Sequence, residues 1–288
     1  MLNSAGIKPN KRFGQHFLID LNLMKLLVDS INPQRDDIIL EVGCGTGSLT
    51  EELAKRTGRV VAVEIDSVLA EIAKSRLLGF ENVEIINTDI LENKHTISNI
   101  VIKALHGTSG ENSGRFILAA NLPYNVASPL MINLLSGPII TDEMYITVQK
   151  EVADRMIAAA GGKNYGPLSI FLNATGYVEM IRHLKPDVFW PRPQVDSAMM
   201  SFIRDLSKAK KIADMKLFGD IVHLFMGHRR KTLSACSKLA GEKLSSIRSW
   251  PEIFKSCSID PSIRPDNLSP EDYVSITNRL SLELSEND

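Results

Sequence analysis

The sequence predicts an α/β protein: a mostly parallel, doubly wound sheet with helices on both faces, followed by a smaller, mainly helical domain. Three observations carry that prediction. From Ile38 to Gln149, short apolar runs alternate with helix-spaced patterns, and strands alternating with helices build βαβ units. A glycine-rich turn, Glu41 to Gly47, stands between the first of these runs and a helix pattern. After about Lys208 the strand-like runs give way to helix-like ones. The expected division is one domain over residues 1–205, entered through a basic arm at 1–18, and a second over 206–288.

The elements follow in order. Leu18 to Ile31 sets Leu23, Leu26 and Leu27 at helical spacing, and Asn32-Pro33 ends that helix. Ile38–Val42 reads as a strand, Leu49–Arg56 as a helix and Val60–Ile65 as a β-branched strand. Val68–Leu77 is helical, Val83–Ile86 strand-like, and Phe116–Ala120 is a strand that runs into a proline-containing turn. Pro129–Leu135 then reads as helix and Met144–Gln149 as strand. The pattern weakens between Leu91 and Arg115, where His106–Gly114 is rich in Gly, Ser and Asn and reads as a mobile surface loop. Tyr165–Phe202 mixes short strand patterns with Pro186, Pro191 and Pro193. Leu217–Phe225, Lys231–Leu239 and Pro270–Leu280 are helix-like.

Composition bounds the function. A chain of 288 residues with 44% hydrophobic content can bury a sizeable core in one large or two unequal domains. It holds no apolar run long enough to span a bilayer, and residues 1–10 lack the apolar core of a secretory leader. Cys44, Cys236 and Cys257 are odd in number, and their spacing suits neither a disulfide framework nor a zinc site. A reducing, cytoplasmic setting is the expectation, with no metal. The formal net charge is −1, but His183–Trp250 carries thirteen Lys/Arg against six Asp/Glu and Pro251–Asp288 three against eight. A basic segment beside an acidic one is the footprint of a polyanion partner or of a solvated helical surface; charge alone does not choose.

The chemistry concentrates at strand ends. In Glu41-Val42-Gly43-Cys44-Gly45-Thr46-Gly47 the glycines Gly43, Gly45 and Gly47 let the backbone turn sharply and approach a ligand, ahead of a helix N-terminus with unpaired N–H groups. The next strand ends at Glu64, where an acid accepts hydrogen bonds from ribose hydroxyls. Asp66 lies on the same side, although it also suits a helix cap. Asp89 follows the third strand, placed to accept a bond from a nucleoside's amino group. The loop lacks the Gly-Lys-Ser/Thr ending of an ATP-binding loop, while a nicotinamide dinucleotide stays open at this point. Asn121-Leu122-Pro123-Tyr124 narrows the choice. The lone pair of an exocyclic adenine nitrogen is delocalised into the ring. If the Asn121 side-chain oxygen and the Leu122 carbonyl both accept its N–H bonds, that nitrogen becomes more tetrahedral and nucleophilic. Pro123 fixes the turn, and Tyr124 offers a ring to a flipped base.

These motifs, with others in the same order, resemble the family of ribosomal RNA adenine N6,N6-dimethyltransferases that modify adjacent adenines near the 3′ end of small-subunit (16S) RNA. The resemblance covers nearly the whole chain. It rests on Lys11-Arg12-Phe13-Gly14-Gln15-His16-Phe17-Leu18, on Glu41–Gly47 and Asn121–Tyr124, and on Val148–Val152 and Tyr165–Ser169. It extends through Phe189-Trp190-Pro191-Arg192-Pro193-Gln194-Val195-Asp196-Ser197 to Arg229-Arg230-Lys231-Thr232-Leu233. It implies a Rossmann-like class I methyltransferase domain and a helical RNA-binding domain, with S-adenosylmethionine as cofactor. The implied partner is 16S RNA within the small subunit, met by a cytoplasmic monomer that is also a ribosome assembly factor. It implies cofactor contacts at His16, Leu18, Gly43, Glu64, Asp89 and Asn121, beside Gly45 and Gly47 of the loop. It places substrate adenine between Tyr124 and the ring of Phe189. The basic head becomes a flap over the cofactor, with Lys11 and Arg12 toward RNA. Arg229, Arg230 and Lys231 are candidates for phosphate contact, or else a solvated helix end. His16 stands where the family usually has Asn, Cys44 where it usually has Pro, and His106–Gly114 reads as an insertion. DNA adenine as substrate, and a non-catalytic assembly role, are the rival expectations.

Overall fold

The computed structural model describes residues 15–94, 96–106, 114–123, 125–241, 244 and 250–285. Lys11, Arg12, Tyr124 and the interior of the His106–Gly114 loop therefore lie outside the described residues. The chain divides into two compact units, one of the described residues up to 153 with 179–203, the other of 154–178 with those from 204 onward.

In chain order the elements are β1 (Phe17–Leu18), α1 (Leu21–Ile31), β2 (Ile38–Val42), α2 (Ser48–Ala54), β3 (Arg59–Glu64), α3 (Ser67–Arg76) and β4 (Val83–Asn87). There follow β5 (Leu91–Asn93), β6 (Thr96–Ile97), α4 (Asn99–His106), β7 (Phe116–Asn121), α5 (Ala127–Ser136), β8 (Glu143–Gln149), α6 (Lys150–Met156) and α7 (Pro167–Thr175). Then come β9 (Gly176–Leu184), β10 (Phe189–Trp190), β11 (Ser197–Arg204), α8 (Leu206–Ala209), α9 (Met215–Gly227), α10 (Leu233–Ser237), α11 (Trp250–Ser256) and α12 (Pro270–Ser285).

A seven-stranded sheet forms the first unit's frame, in the order β4-β3-β2-β7-β8-β11-β9. β4, β3, β2, β7 and β8 run parallel, and β11 is antiparallel to β8. This is the mostly parallel α/β sheet that the alternating pattern predicts, in the Rossmann-like class I arrangement that the resemblance implies. β2 and β3 are buried almost end to end, as strands covered on both faces must be.

The helices begin where local chemistry starts them. Asp20, just ahead of α1, accepts from the N–H groups of Asn22 and Leu23, which caps the helix. The helix therefore opens at Leu21, and Leu18, expected inside it, joins the short strand β1. Met24, Leu27, Val28 and Ile31 then fall on its buried face at i, i+3, i+4 and i+7. Asn32 closes it with φ +45°, before Pro33.

In the second unit, α9 buries Leu217, Phe218, Ile221, Val222, Phe225 and Met226. Phe225 packs against Trp250, Phe254 and Tyr273 at 5.7–6.3 Å between ring centroids. The Tyr165–Phe202 stretch holds a helix, α7, where the sequence suggested short strands. Leu168, Ser169, Ile170, Phe171, Leu172, Ala174 and Thr175 are all buried. A helix covered on every side carries no amphipathic period to read.

Candidate functional site

The site stands at the carboxyl ends of β2, β3 and β7, where the strand order turns to opposite sides of β2. Such a switch point leaves a crevice above an open α/β sheet. Gly43, Gly45 and Gly47 adopt φ values of +78°, +57° and +78°, left-handed backbone that favours glycine. Space for a side chain is tight as well. A Cβ on Gly43 would stand 3.2 Å from the Pro123 ring, and one on Gly45 2.9 Å from the Phe17 ring. The glycine loop and the Asn121–Pro123 turn are therefore in contact, and one cavity is lined by Gly43, Glu64, Asp89, Asn121, Leu122 and Pro123 together with His16.

β3 ties the loop down. The Val63 carbonyl accepts from the N–H groups of Gly43 and Cys44 at 2.8 and 3.3 Å. Glu64, buried, accepts from Gly45 N–H through Oε2 at 2.8 Å and from Asp66 N–H through Oε1 at 2.9 Å. Burial raises the Glu64 carboxyl above its ordinary range, while these backbone donors pull it back. Each oxygen keeps a lone pair, so the group can still accept from a vicinal diol. Asp66 instead caps α3, accepting from Val68 and Leu69 N–H, and takes a bond from Gln15 Nε2 at 3.1 Å. Of the two acids, Glu64 faces the cavity. Asp89 is exposed at its rim, where Oδ1 accepts from Leu91 N–H at 3.0 Å. Ile65 and Ile90 supply apolar wall.

Glu41, at the head of the loop, is buried and leaves Oε2 without a hydrogen-bond partner. Desolvation pushes its carboxyl up to about 8; the Glu64 charge adds to this and the Thr50 hydroxyl, outside hydrogen-bond geometry, opposes it. The Cys44 thiol is likewise raised, by burial first and by Glu41 and Glu64 next. It stays protonated and packs in the apolar core as a small hydrophobe.

The Asn121 side chain is held on both sides. Its Nδ2 donates to the His16 carbonyl at 2.6 Å, and its Oδ1 accepts from the Thr147 hydroxyl. Leu122 N–H donates to the Thr147 carbonyl at 3.1 Å. The His16 ring meets the Pro191 carbonyl through Nδ1 at 2.6 Å, so its imidazole turns to the chain while its main chain serves Asn121. Leu18 pairs with Phe189, and Phe17 with Trp190, in the β1–β10 ribbon. Phe17 and Trp190 stack at 6.3 Å. Phe189 is only 3% exposed and belongs to the core cluster. Its ring is not brought into the cavity with Asn121. Gly45 and Gly47 support the loop from behind, the former on Phe17 and the latter against Leu77 and Ala73.

In the second unit, Arg229 contacts Asp266 at 3.5 Å and reaches the Tyr165 and Lys163 carbonyls, while Arg230 and Lys231 are exposed. Sequence reasoning passed over Thr147, Asn87, whose Nδ2 donates to the Glu64 carbonyl at 2.7 Å, and Gln15. Thr147 had one signal, a hydroxyl interrupting the apolar run Ile146–Val148 at a strand's carboxyl end. Among the described residues no group of His, Cys, Asp and Glu could hold a metal ion, and no helix is long and apolar enough to cross a membrane.

Comparison with known proteins agrees with this geometry. The family described as "Ribosomal RNA adenine dimethylase" matches residues 6–281. The "Ribosomal RNA small subunit methyltransferase A" of Caldanaerobacter subterraneus subsp. tengcongensis is 36% identical over 280 residues, covering 97% of this chain and 100% of the relative. Its counterpart in Geobacter metallireducens is 35% identical over 279 residues, covering 97% and 98%. Among solved structures, a dimethyladenosine transferase from Plasmodium falciparum superposes with a TM-score of 0.72 at 22% identity, covering 93% of this chain and 98% of that one. The fold is shared.

Proposed function

The chain belongs to the ribosomal RNA adenine dimethylase family, and from that premise we propose how its residues work. The reaction is methylation, by S-adenosylmethionine, of the N6 amino groups of two adjacent adenosines near the 3′ end of 16S ribosomal RNA, yielding N6,N6-dimethyladenosine. The observation that carries this reading is the direct contact of the Asn121–Pro123 turn with the glycine cradle. Acceptors for an exocyclic amine and a loop for a nucleoside cofactor open into one cavity.

The residues fit the cofactor. Gly43 leaves space that a Cβ would fill, Glu64 offers two oxygens to ribose hydroxyls, and Asp89 offers one to an adenine amino group. Of the acids at the cavity, Glu64 and Asp89 line it and favour a cationic ligand, whereas Glu41 is held protonated by burial. When bound, the cofactor supplies an electrophilic methyl carbon on a sulfonium whose departing thioether needs no acid.

The chain's own groups then position the acceptor nitrogen. Asn121 Oδ1 and the Leu122 carbonyl accept the two N–H bonds of the adenine amine and direct its lone pair toward the cofactor side of the cavity. Tyr124 stacks on the base. Phe189 acts beneath the surface, holding Leu18 and β1 in place, because a ring packed in the core has no free face. Bound against Gly43, Glu64 and Asp89, the cofactor would supply the methyl group, and the amine's displaced proton would leave to solvent. The monomethylated amine retains one N–H, so the same acceptors serve a second transfer. Catalysis of this kind is positioning and electrostatics.

The RNA partner is met within the small ribosomal subunit, in the cytoplasm, by a monomer. Labelled S-adenosylmethionine with unmethylated small subunits, followed by nucleoside mass spectrometry, tests the reading. Dimethyladenosine in the RNA supports it, whereas label in duplex DNA and none in RNA overturns it. Asn121→Ala should lower turnover by about 10²-fold or more and stability by about 1–3 kcal/mol, because it strands the buried Thr147 hydroxyl, with the fold retained; full activity would remove Asn121 from the mechanism.

A further inference from the structure

We infer that Thr147 is a positioning residue for methyl transfer. Its hydroxyl and its main-chain carbonyl together set the two oxygens, Asn121 Oδ1 and the Leu122 carbonyl, that receive the substrate's N–H groups. The inference deepens the proposed function and rests on it.

Register brings the residues together. β7 and β8 are parallel, with Asn121 directly opposite Thr147. Side chains at paired positions of neighbouring strands point to the same face, so the Thr147 hydroxyl stands beside the Asn121 amide at the carboxyl edge of the sheet. Thr147 is 1% exposed, in a strand otherwise occupied there by Ile146 and Val148. A buried hydroxyl needs a partner, and it has one in Asn121 Oδ1.

The direction of the bonds follows from chemistry. The His16 carbonyl can only accept, so the Asn121 atom facing it is Nδ2. The oxygen then faces Thr147, whose hydroxyl must donate. An amide oxygen has two lone pairs. Thr147 takes one and leaves the other for the substrate amine. Without that donor the amide is held only through Nδ2 and can swing about its χ angles, spreading the position of the one atom that matters. The second arm works through the main chain. Leu122 N–H donates to the Thr147 carbonyl at 3.1 Å, which sets the peptide whose own carbonyl is the other acceptor. One residue of β8 therefore fixes both acceptors relative to each other.

The two transfers should depend on this differently. Unmethylated adenine presents two N–H bonds, so the Leu122 carbonyl can hold the amine when Asn121 wanders. The monomethylated amine has a single N–H and loses that redundancy. Loss of the Thr147 hydroxyl should slow the second transfer more than the first.

The test compares Thr147→Val, which keeps shape and the main-chain arm but lacks the donor, with Thr147→Ser, which restores the donor in a smaller side chain. Wild type and both variants are assayed on unmethylated small subunits, with cofactor binding measured separately by calorimetry. For Thr147→Val we expect kcat lower by about tenfold or more, KM for the subunit and cofactor affinity within about twofold, and a raised ratio of monomethyl- to dimethyladenosine. Thr147→Ser should recover kcat and the product ratio to within about threefold of wild type. The proposal is overturned if Thr147→Val keeps wild-type kcat and product ratio, or if the Ser variant is impaired as much as the Val variant. If wild type itself forms no methyladenosine, the functional reading fails first and this inference with it. If wild type is active and the Val variant matches it, the inference fails alone.

Discussion

At the scale of single residues, Glu41 makes the sharpest prediction about the free protein. Its carboxyl is pushed up to about 8, against an ordinary value of 4.5, chiefly by burial. Between these values the folded chain holds a proton that the unfolded chain has released. Folding takes up that proton, so this group's contribution to stability falls as pH rises through the window and levels off above it. Glu41→Gln removes the titration. In thermal melts of cofactor-free protein the variant should gain on wild type as pH is raised from 5 to 8.5; an identical difference at both ends would mean Glu41 is ionised throughout. The neighbouring Gly45 shows why this loop is restrictive. Left-handed backbone alone costs a non-glycine residue about 1–2 kcal/mol, and here the Phe17 ring occupies the space as well.

Among elements, the strands are pinned at the end away from the cavity. Arg115, just ahead of β7, donates to Asp37 beside β2 at 2.6 Å and to both oxygens of Glu143 at the start of β8 at 3.1 Å. It also reaches the Ile31 and Asn32 carbonyls at the close of α1. Asp37 in turn accepts from Arg115 N–H. The hydrogen bond to Asp37, with Glu143 assisting, raises the guanidinium further above its ordinary range. These contacts join the amino ends of β2, β7 and β8, whereas chemistry in open α/β sheets gathers at the carboxyl ends. Arg115→Met should therefore lower stability by about 1–3 kcal/mol, the cost of stranding a buried acceptor, and leave kcat within about twofold. A denaturant melt beside a turnover assay checks this, and a large kcat loss at unchanged stability would contradict it.

For the molecule as a whole, the near-neutral net charge hides an uneven distribution, with basic residues gathered before Trp250 and acidic ones after it. Polyanion binding releases counterions and weakens with salt. Arg230 and Lys231 are exposed, while Arg229 is engaged with Asp266 and two carbonyls. Replacing Arg230 and Lys231 by Ala should weaken binding to unmethylated small subunits and reduce the salt slope by about 1 for each phosphate no longer neutralised. Arg229→Ala should instead cost a small amount of stability, about 1 kcal/mol or less for so exposed a pair. Binding titrations at several salt concentrations separate the two cases, and an unchanged slope in the double variant would remove both side chains from the RNA surface.

Much of this was legible in the chain. The alternation of β-branched runs with helical patterns announced the parallel sheet, because the direction of successive side chains along a strand or a helix is set by local backbone geometry. The glycine loop, Glu64 and the Asn121–Pro123 turn could be read at successive strand ends, and they do meet at one cavity. Asp66 declared itself a cap by its place before α3. Other features needed the folded chain. α7, covered on all sides, has no polar face to betray its period. β1 and β10 are two residues each and exist only because distant segments pair. The core position of Phe189 depends on what packs above it, and the bond from Thr147 to Asn121 depends on the register of two strands 26 residues apart. Sequence patterns record local geometry and the side of an element that meets the core. Which buried hydroxyl stands beside which amide is settled by packing between segments remote in the chain.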